Sequence, residues 1–195
     1  MSRLITNAIR STSASADAIT FDNSGKPAFP NGGAGKILQV IQTYKTDTFS
    51  ASIGVGAETG DVTGLTVTIT PSNANNKILV SFDLSMGLDN SSSGNRIAAT
   101  LYRGGSKLDA STGDVSGNTI RVTAQGATSN NEKSDGINGS FLDSPSTTSA
   151  TTYSLRLRHG RGATCNVYIN RPGTMYDYNY GHKSGSSITL MEIAA

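Results

Sequence analysis

The chain has no tryptophan, one cysteine and five prolines, and only 6% of its 195 residues are aromatic and 15% charged. Each shortage excludes something. A solitary Cys165 rules out a disulfide scaffold. No apolar run approaches the roughly 18 residues of a membrane-crossing helix. The opening Met1-Ser2-Arg3-Leu4-Ile5 lacks the apolar core of a secretory signal, so synthesis inside the cell is expected. A formal net charge of +2 is too small to draw in a phosphate backbone. Neither nucleic acid nor membrane is therefore an expected partner. What fills the chain is short and polar: 26 serines, 23 threonines, 15 asparagines and 22 glycines. Ordinary domains carry about 25% charged residues, whereas this one presents hydroxyls and amides. Its length allows roughly 70% of the unfolded surface to be buried, enough for one proper core.

The pattern changes near residue 31. Before it, Leu4, Ile5, Ala8 and Ile9 recur at helical spacing for barely two turns, too few to hold a helix alone in water. Ile19 to Phe21 and Pro27 to Phe29 are short apolar stretches around Asp22-Asn23-Ser24-Gly25, a turn sequence. Residues 1–31 read as an arm, extended or briefly helical, that cannot close a core. Leu4, Ile5, Ile9, Phe21 and Phe29 are its candidate docking residues, each worth about 1.5–3 kcal/mol on full burial.

Residues 32–195 read as a β-body. Asn31-Gly32-Gly33-Ala34-Gly35 is a hinge, and Lys36-Ile37 opens a strand where a phosphate loop would need Ser or Thr and then a helix. From there the apolar period is two. Leu65-Val67-Ile69, Ile78-Val80-Phe82-Leu84-Met86, Ile97-Ala99-Leu101, Ile120-Val122-Ala124, Tyr153-Leu155-Leu157 and Ala163-Cys165-Val167-Ile169 alternate with polar or small residues. Weaker strands are expected at Gly105 to Leu108 and Ile137 to Leu142. The expected fold is all-β: a jelly-roll sandwich of about eight to ten antiparallel strands, with an immunoglobulin-like sandwich as the alternative. The first and last strands, Ile37 to Ile41 and Ile188 to Ile193, are apolar on both faces, which implies cover on both sides. Ile37, Ile41, Met191 and Ile193 are therefore candidate intersubunit residues.

Little in the sequence points to catalysis. His159, His182 and Cys165 have no metal-ligand spacing, no nucleophile elbow is present, and no two carboxylates can be paired from sequence. No cofactor or metal is expected, and the chain reads as a non-enzyme. Arg156, Arg158, His159, Arg161 and Arg171 form the one basic concentration. It reads either as a face paired with Asp and Glu or as an attraction for anionic surface polymer. Tyr176, Asp177, Tyr178, Asn179, Tyr180 and His182 form the most unusual stretch. Aromatic faces stack on sugar rings while amides and carboxylates take the hydroxyls, so this loop is a candidate glycan platform. The alternative is that the rings pack on the sandwich or across a subunit contact.

Two blocks carry a resemblance. Ser2-Arg3-Leu4-Ile5-Thr6-Asn7-Ala8-Ile9-Arg10, continuing through Ala18-Ile19-Thr20-Phe21-Asp22 to Phe29-Pro30, resembles the N-terminal segment of virion proteins of marine tailed phages, cyanophages especially. Phe141-Leu142-Asp143-Ser144-Pro145, Tyr168-Ile169-Asn170-Arg171 and Ser187 to Ile193 are similar to small fibre or knob proteins of such phages. The body also resembles trimeric jelly-roll heads of the TNF and complement type. The resemblance implies a non-enzymatic virion protein made in the host cytoplasm: a tail fibre or knob that anchors to tail or capsid through residues 1–31, forms a homotrimer and contacts host surface glycan. A capsid decoration protein is the alternative, and a polysaccharide-degrading tailspike a more distant one.

Overall fold

In the computed structural model, the residues described are 8–9, 19–21, 23–25, 27–28, 36–89, 95–179 and 182–195. Among them the chain is all-β. Three short strands, β1 (Ala8–Ile9), β2 (Ile19–Phe21) and β3 (Pro27–Ala28), pair antiparallel in the order β1-β2-β3. Ala8 and Ile9 thus sit opposite Thr20 and Ile19 in a ladder rather than in the helical turn their spacing suggests. A two-turn helix would not sustain itself, whereas pairing satisfies the backbone groups. Ile9 is exposed and Phe21 half-buried. Leu4, Ile5 and Phe29 lie outside the described residues.

The body comprises β4 (Ile37–Lys45), β5 (Phe49–Ile53), β6 (Thr66–Ile69), β7 (Lys77–Leu88), β8 (Asn95–Arg103), β9 (Ser106–Lys107), β10 (Ala124–Thr128), β11 (Ser134–Asp143), β12 (Thr151–His159), β13 (Cys165–Ile169) and β14 (Ser186–Ile193). Three pairs share a lane. β4 and β5 lie along β14 and β13; β13 and β14 both lie along β7; β9 and β10 both lie along β8. Numbering the resulting lanes one to eight along the chain, the first sheet runs 1-8-3-6 (β4/β5, β13/β14, β7, β11). The second runs 2-7-4-5 (β6, β12, β8, β9/β10). Every pairing is antiparallel, and that order is the double Greek key of a jelly roll. It excludes the immunoglobulin-like alternative.

The core lies between the sheets, and the period-two residues fill it. Ile78, Val80, Leu84 and Met86 of β7 meet Ile97, Ala99 and Leu101 of β8 and Tyr153, Leu155 and Leu157 of β12, all buried. Gly139 on β11 makes room for the Phe82 ring, since a Cβ there would lie 2.6 Å from its Cζ. One expected strand is displaced. Residues 119–123 are irregular, and pairing begins only at Thr123, whose N–H donates to Ala99 O. The cause is Arg121, whose guanidinium donates to Gly113 O and Asp109 O and draws the segment towards the preceding turn.

Two polar ties close the end of the sandwich where β7 begins. Asp143 accepts two hydrogen bonds from Arg103 (2.9 and 2.7 Å) and one from the buried Tyr153 hydroxyl (2.6 Å). Glu192, 1% exposed on the inward face of β14, accepts from Asn76 Nδ2, Gln39 Nε2, and the N–H and hydroxyl of Ser72, all at 2.6–2.7 Å. Burial alone would raise the Glu192 pKa. The hydrogen bonds from Asn76, Gln39 and Ser72 outweigh it and hold the value at about 2, against 4.5 for a free glutamate.

A carboxyl depressed in this way stabilises the fold fully above pH about 4.5. It loses that contribution as pH falls towards 2. Urea unfolding at a series of pH values is therefore expected to show a decline in this window that Glu192→Gln flattens, by about 2 kcal/mol after allowing for nearby solvent. Parallel curves for the two proteins would contradict the assignment.

Candidate functional site

Because β13 and β14 occupy one lane against β7, the residues joining them must leave the sheet and return. Asn170 starts the excursion from a left-handed backbone (φ 64°), which asparagine tolerates better than most residues. Fully buried, it donates from Nδ2 to Lys45 O (2.8 Å) and Asp47 O (2.9 Å) and accepts from the Ser186 hydroxyl (2.6 Å). One side chain thus ties the β4–β5 corner to both ends of the loop. The loop then lies directly on the end of β7. A Cβ on Gly87 would sit 2.3 Å from Arg171 O, and one on Gly173 would sit 2.3 Å from Leu88 O. Next, Thr174 docks on the turn between β10 and β11, its N–H donating to Asn131 O (2.7 Å) and its hydroxyl accepting from Asn131 Nδ2 (2.8 Å).

What this support carries is a pair of tyrosines. Tyr176 and Tyr178 are 46% and 58% exposed, with ring centroids 6.0 Å apart and planes inclined at 27°. The Tyr176 hydroxyl donates to Glu132 Oε1 (3.1 Å). A cleft of about 390 Å³ on one side includes Glu132, Lys133, Met175 and His182. A second, of about 410 Å³, includes Asp177, Tyr178 and Lys183. The structure therefore brings together Tyr176, Asp177, Tyr178 and His182 in one region. Asn179 is exposed beside them, and Tyr180 lies outside the described residues. Sequence reasoning missed Glu132 and Lys133, because nothing in the sequence joins the 130–134 turn to a loop forty residues later, and it passed over Lys183 beside His182. Chemically, the ledge offers two ring faces bordered by carboxylates, ammonium groups and an imidazole. That suits stacking and hydrogen bonding to a polyhydroxylated ring.

The basic concentration is dispersed by pairing. Arg156 bonds Asp61 (2.7 Å) and lies 3.9 Å over the Tyr102 ring, Arg158 pairs with Glu58 (3.3 Å), and Arg171 lies 4.6 Å over Tyr168. Burial tends to raise the Glu58 pKa, but bonds from Tyr102, Arg158 and Thr100 win and leave it below the ordinary value. His159 is buried, with Nδ1 accepting from Arg161 N–H and Nε2 therefore donating to Ile53 O (2.9 Å), a structural role. Among the described residues no three His, Cys, Asp or Glu side chains gather as a metal site.

A second surface lies on the outer face of the first sheet. Register places Val40, Met191, Leu79 and Leu142 in one row across four strands. Leu38 and Ile193 lie near the β4–β14 end of that row, and Ile37 is 53% exposed there. Val40 and Leu142 are 55% and 52% exposed. Ile41 differs from its companions, because its alternation turns it inward against the core, opposite Leu190. Of the four candidate intersubunit residues, Ile37, Met191 and Ile193 belong to the outer patch and Ile41 does not.

No protein-family model and no curated relative matches the chain. Among solved structures it is similar to the VP2 subviral particle of infectious bursal disease virus, at 14% identity and a TM-score of 0.38, covering 91% of this chain and 42% of that one. A mutant VP2 of the same virus in T=1 particles gives 16% identity, a TM-score of 0.38, and 91% and 40% coverage. A structure of the Gx strain gives 14%, 0.34, 83% and 37%. The chain thus spans about two fifths of the proteins it matches. Its jelly-roll assignment rests on its own strand order.

Proposed function

We propose that the chain is a non-enzymatic virion surface protein, fibre- or knob-like, that assembles through its outer apolar row and displays the Tyr176–Tyr178 ledge to host surface glycan. The observation that carries this reading is the separation of the two surfaces. Leu79 in the apolar row and Gly87 beneath the ledge lie eight residues apart on the same strand, about 26 Å. The chain enters the body at Lys36, whose carbonyl accepts from Ala194 N–H, at the end where the apolar row lies. One end is thus suited to attachment and self-association, and the other to recognition. The resemblance of residues 2–30 and of the closing strand to phage virion segments supports the same assignment. In this reading the row is covered by further copies of the chain, as a homotrimer, and residues 1–31 anchor to a tail or capsid protein.

An aromatic contact contributes about 0.5–1.5 kcal/mol between two rings, a sugar face is taken to be of the same order, and three copies multiply the effect. Tyr178→Ala is therefore expected to lower adsorption of the assembled protein to host cells by about tenfold or more at unchanged particle mass. Unchanged adsorption would remove the ledge from the reading. Antibody label on the shell in hundreds of copies, with no effect of Tyr178→Ala, would favour capsid decoration instead.

A further inference from the structure

We infer that a second cleft, on the outer face of the second sheet, takes the carboxylate of an acidic sugar of the uronic-acid class. The cleft holds about 380 Å³ and includes Arg96 and Ala98 of β8, Arg158 of β12, Gln125 of β10, and Asn118 and Ile120 from the irregular segment before β10. Register explains the grouping, since Gln125, Ala98 and Arg158 are successive partners across three strands. β8 begins seven residues after Leu88, so Arg96 lies towards the end of the sandwich that carries the tyrosine ledge.

One observation favours an anion. Arg96 is exposed at the cleft, and among the described residues its guanidinium is engaged by no carboxylate or carbonyl, so it is open to a ligand anion. Arg158 spends its terminal nitrogens on Gly56 O and Glu58, yet its buried Nε–H has no acceptor. That nitrogen has almost no accessible surface, so it forms part of the cleft wall and no ligand oxygen reaches it. Glu58 already balances the Arg158 charge, so Arg96 is the group left to meet a carboxylate, whose planar geometry a guanidinium fork matches. Arg96 is also held at its backbone. Gly160 N–H donates to Arg96 O (2.9 Å), and a Cβ on Gly160 would lie 2.8 Å from the Arg96 Cβ.

The remaining lining favours a sugar over a bare ion. Ala98 and Ile120 offer apolar contact to a ring face, while Asn118 and Gln125 offer amides to its hydroxyls. The volume is near the lower end of small-molecule sites, about 300–1,000 Å³, which suits one or two rings. This cleft is separate from the tyrosine ledge and does not depend on it.

The test is an NMR titration of the full chain with D-glucuronate, D-glucose and inorganic phosphate in turn. Glucuronate is expected to bind about tenfold or more tightly than either of the others. Arg96→Ala should weaken it by about tenfold or more, and Arg96→Lys by less. Equal binding of glucose and glucuronate overturns the role of the carboxylate, and phosphate binding as tightly as glucuronate overturns the sugar class. Unchanged binding by Arg96→Ala overturns the site. If Arg96→Ala fails to fold, Gln125→Leu supplies the same reading, because losing its amide should weaken glucuronate and leaving affinity intact would count against the site. Loss of binding in Tyr178→Ala would place the sugar on the ledge instead, so the two sites fail separately.

Discussion

If the outer row joins copies of the chain as proposed, Val40→Asp combined with Met191→Asp is expected to convert the assembly into single particles of 20.2 kDa. The two residues face each other across β4 and β14 and make up half of the four-strand outer row, with Leu79 next to Met191. Side chains of this size contribute about 1.5–3 kcal/mol each when fully buried. An unpaired carboxylate in the same place reverses the sign, because burial would strip its water with nothing in return. The effect is repeated at every copy of the interface, so the association constant should fall by several orders of magnitude. The fold itself should survive, since both side chains point away from the core. Light scattering reads the result directly. A wild-type mass near three times the chain mass, collapsing to one in the variant with an unchanged circular dichroism spectrum, is expected. A wild-type protein that is already monomeric, or a variant that stays assembled, would remove the row from any interface.

The largest loss of stability is expected from Asp143→Ala. The carboxylate is 5% exposed and serves three donors: two from Arg103 and the hydroxyl of Tyr153. These three side chains come from β11, β8 and β12, so the tie bridges the two sheets. Its removal leaves the Tyr153 hydroxyl buried without an acceptor and Arg103 without its counter-charge. Because the Arg103 side chain is one-third exposed, water recovers part of its share. The expected cost is about 2–4 kcal/mol, or a fall in melting temperature of roughly 5–10 °C for a chain of this size. Tyr153→Phe is the informative companion. It removes one donor and leaves the ion pair, so about 1 kcal/mol is expected. Burial first, and the Asp143 carboxylate second, keep the Tyr153 hydroxyl from ionising in the ordinary range. Equal costs for the two variants would show that the Arg103 pairing contributes nothing.

Much of the fold was legible because one face of each strand is buried and the other is not. Ile78 to Met86 and Tyr153 to Leu157 alternate in the sequence as they do in the core. The broken lanes were not legible. Whether β13 and β14 lie side by side or end to end depends on Asn170 and on the close approach of Gly87 and Gly173, none of which alters the apolar period. Ile120 to Ala124 has a strand's alternation, but Arg121 prefers the carbonyls of the preceding turn. The outer apolar row hid for a related reason. Leu79 and Leu142 look like exceptions within their own strands and become a surface only when pairing aligns them with Val40 and Met191. The tyrosines announced themselves by composition, whereas Glu132 and Lys133 reach them only through the docking of Thr174 on Asn131. The basic residues were easy to see but hard to read, because Asp61 and Glu58 come from a loop about a hundred residues earlier.

The most direct test uses intact virions and an antibody fragment raised against the Tyr176–Tyr178 loop. Electron microscopy and an adsorption assay are run on the same sample. If the ledge is the outward recognition surface, the fragment stands clear of the particle and adsorption to host cells falls in proportion to labelling. A fragment that binds the purified protein but never the intact particle, or one that coats the particle and leaves adsorption unchanged, contradicts it.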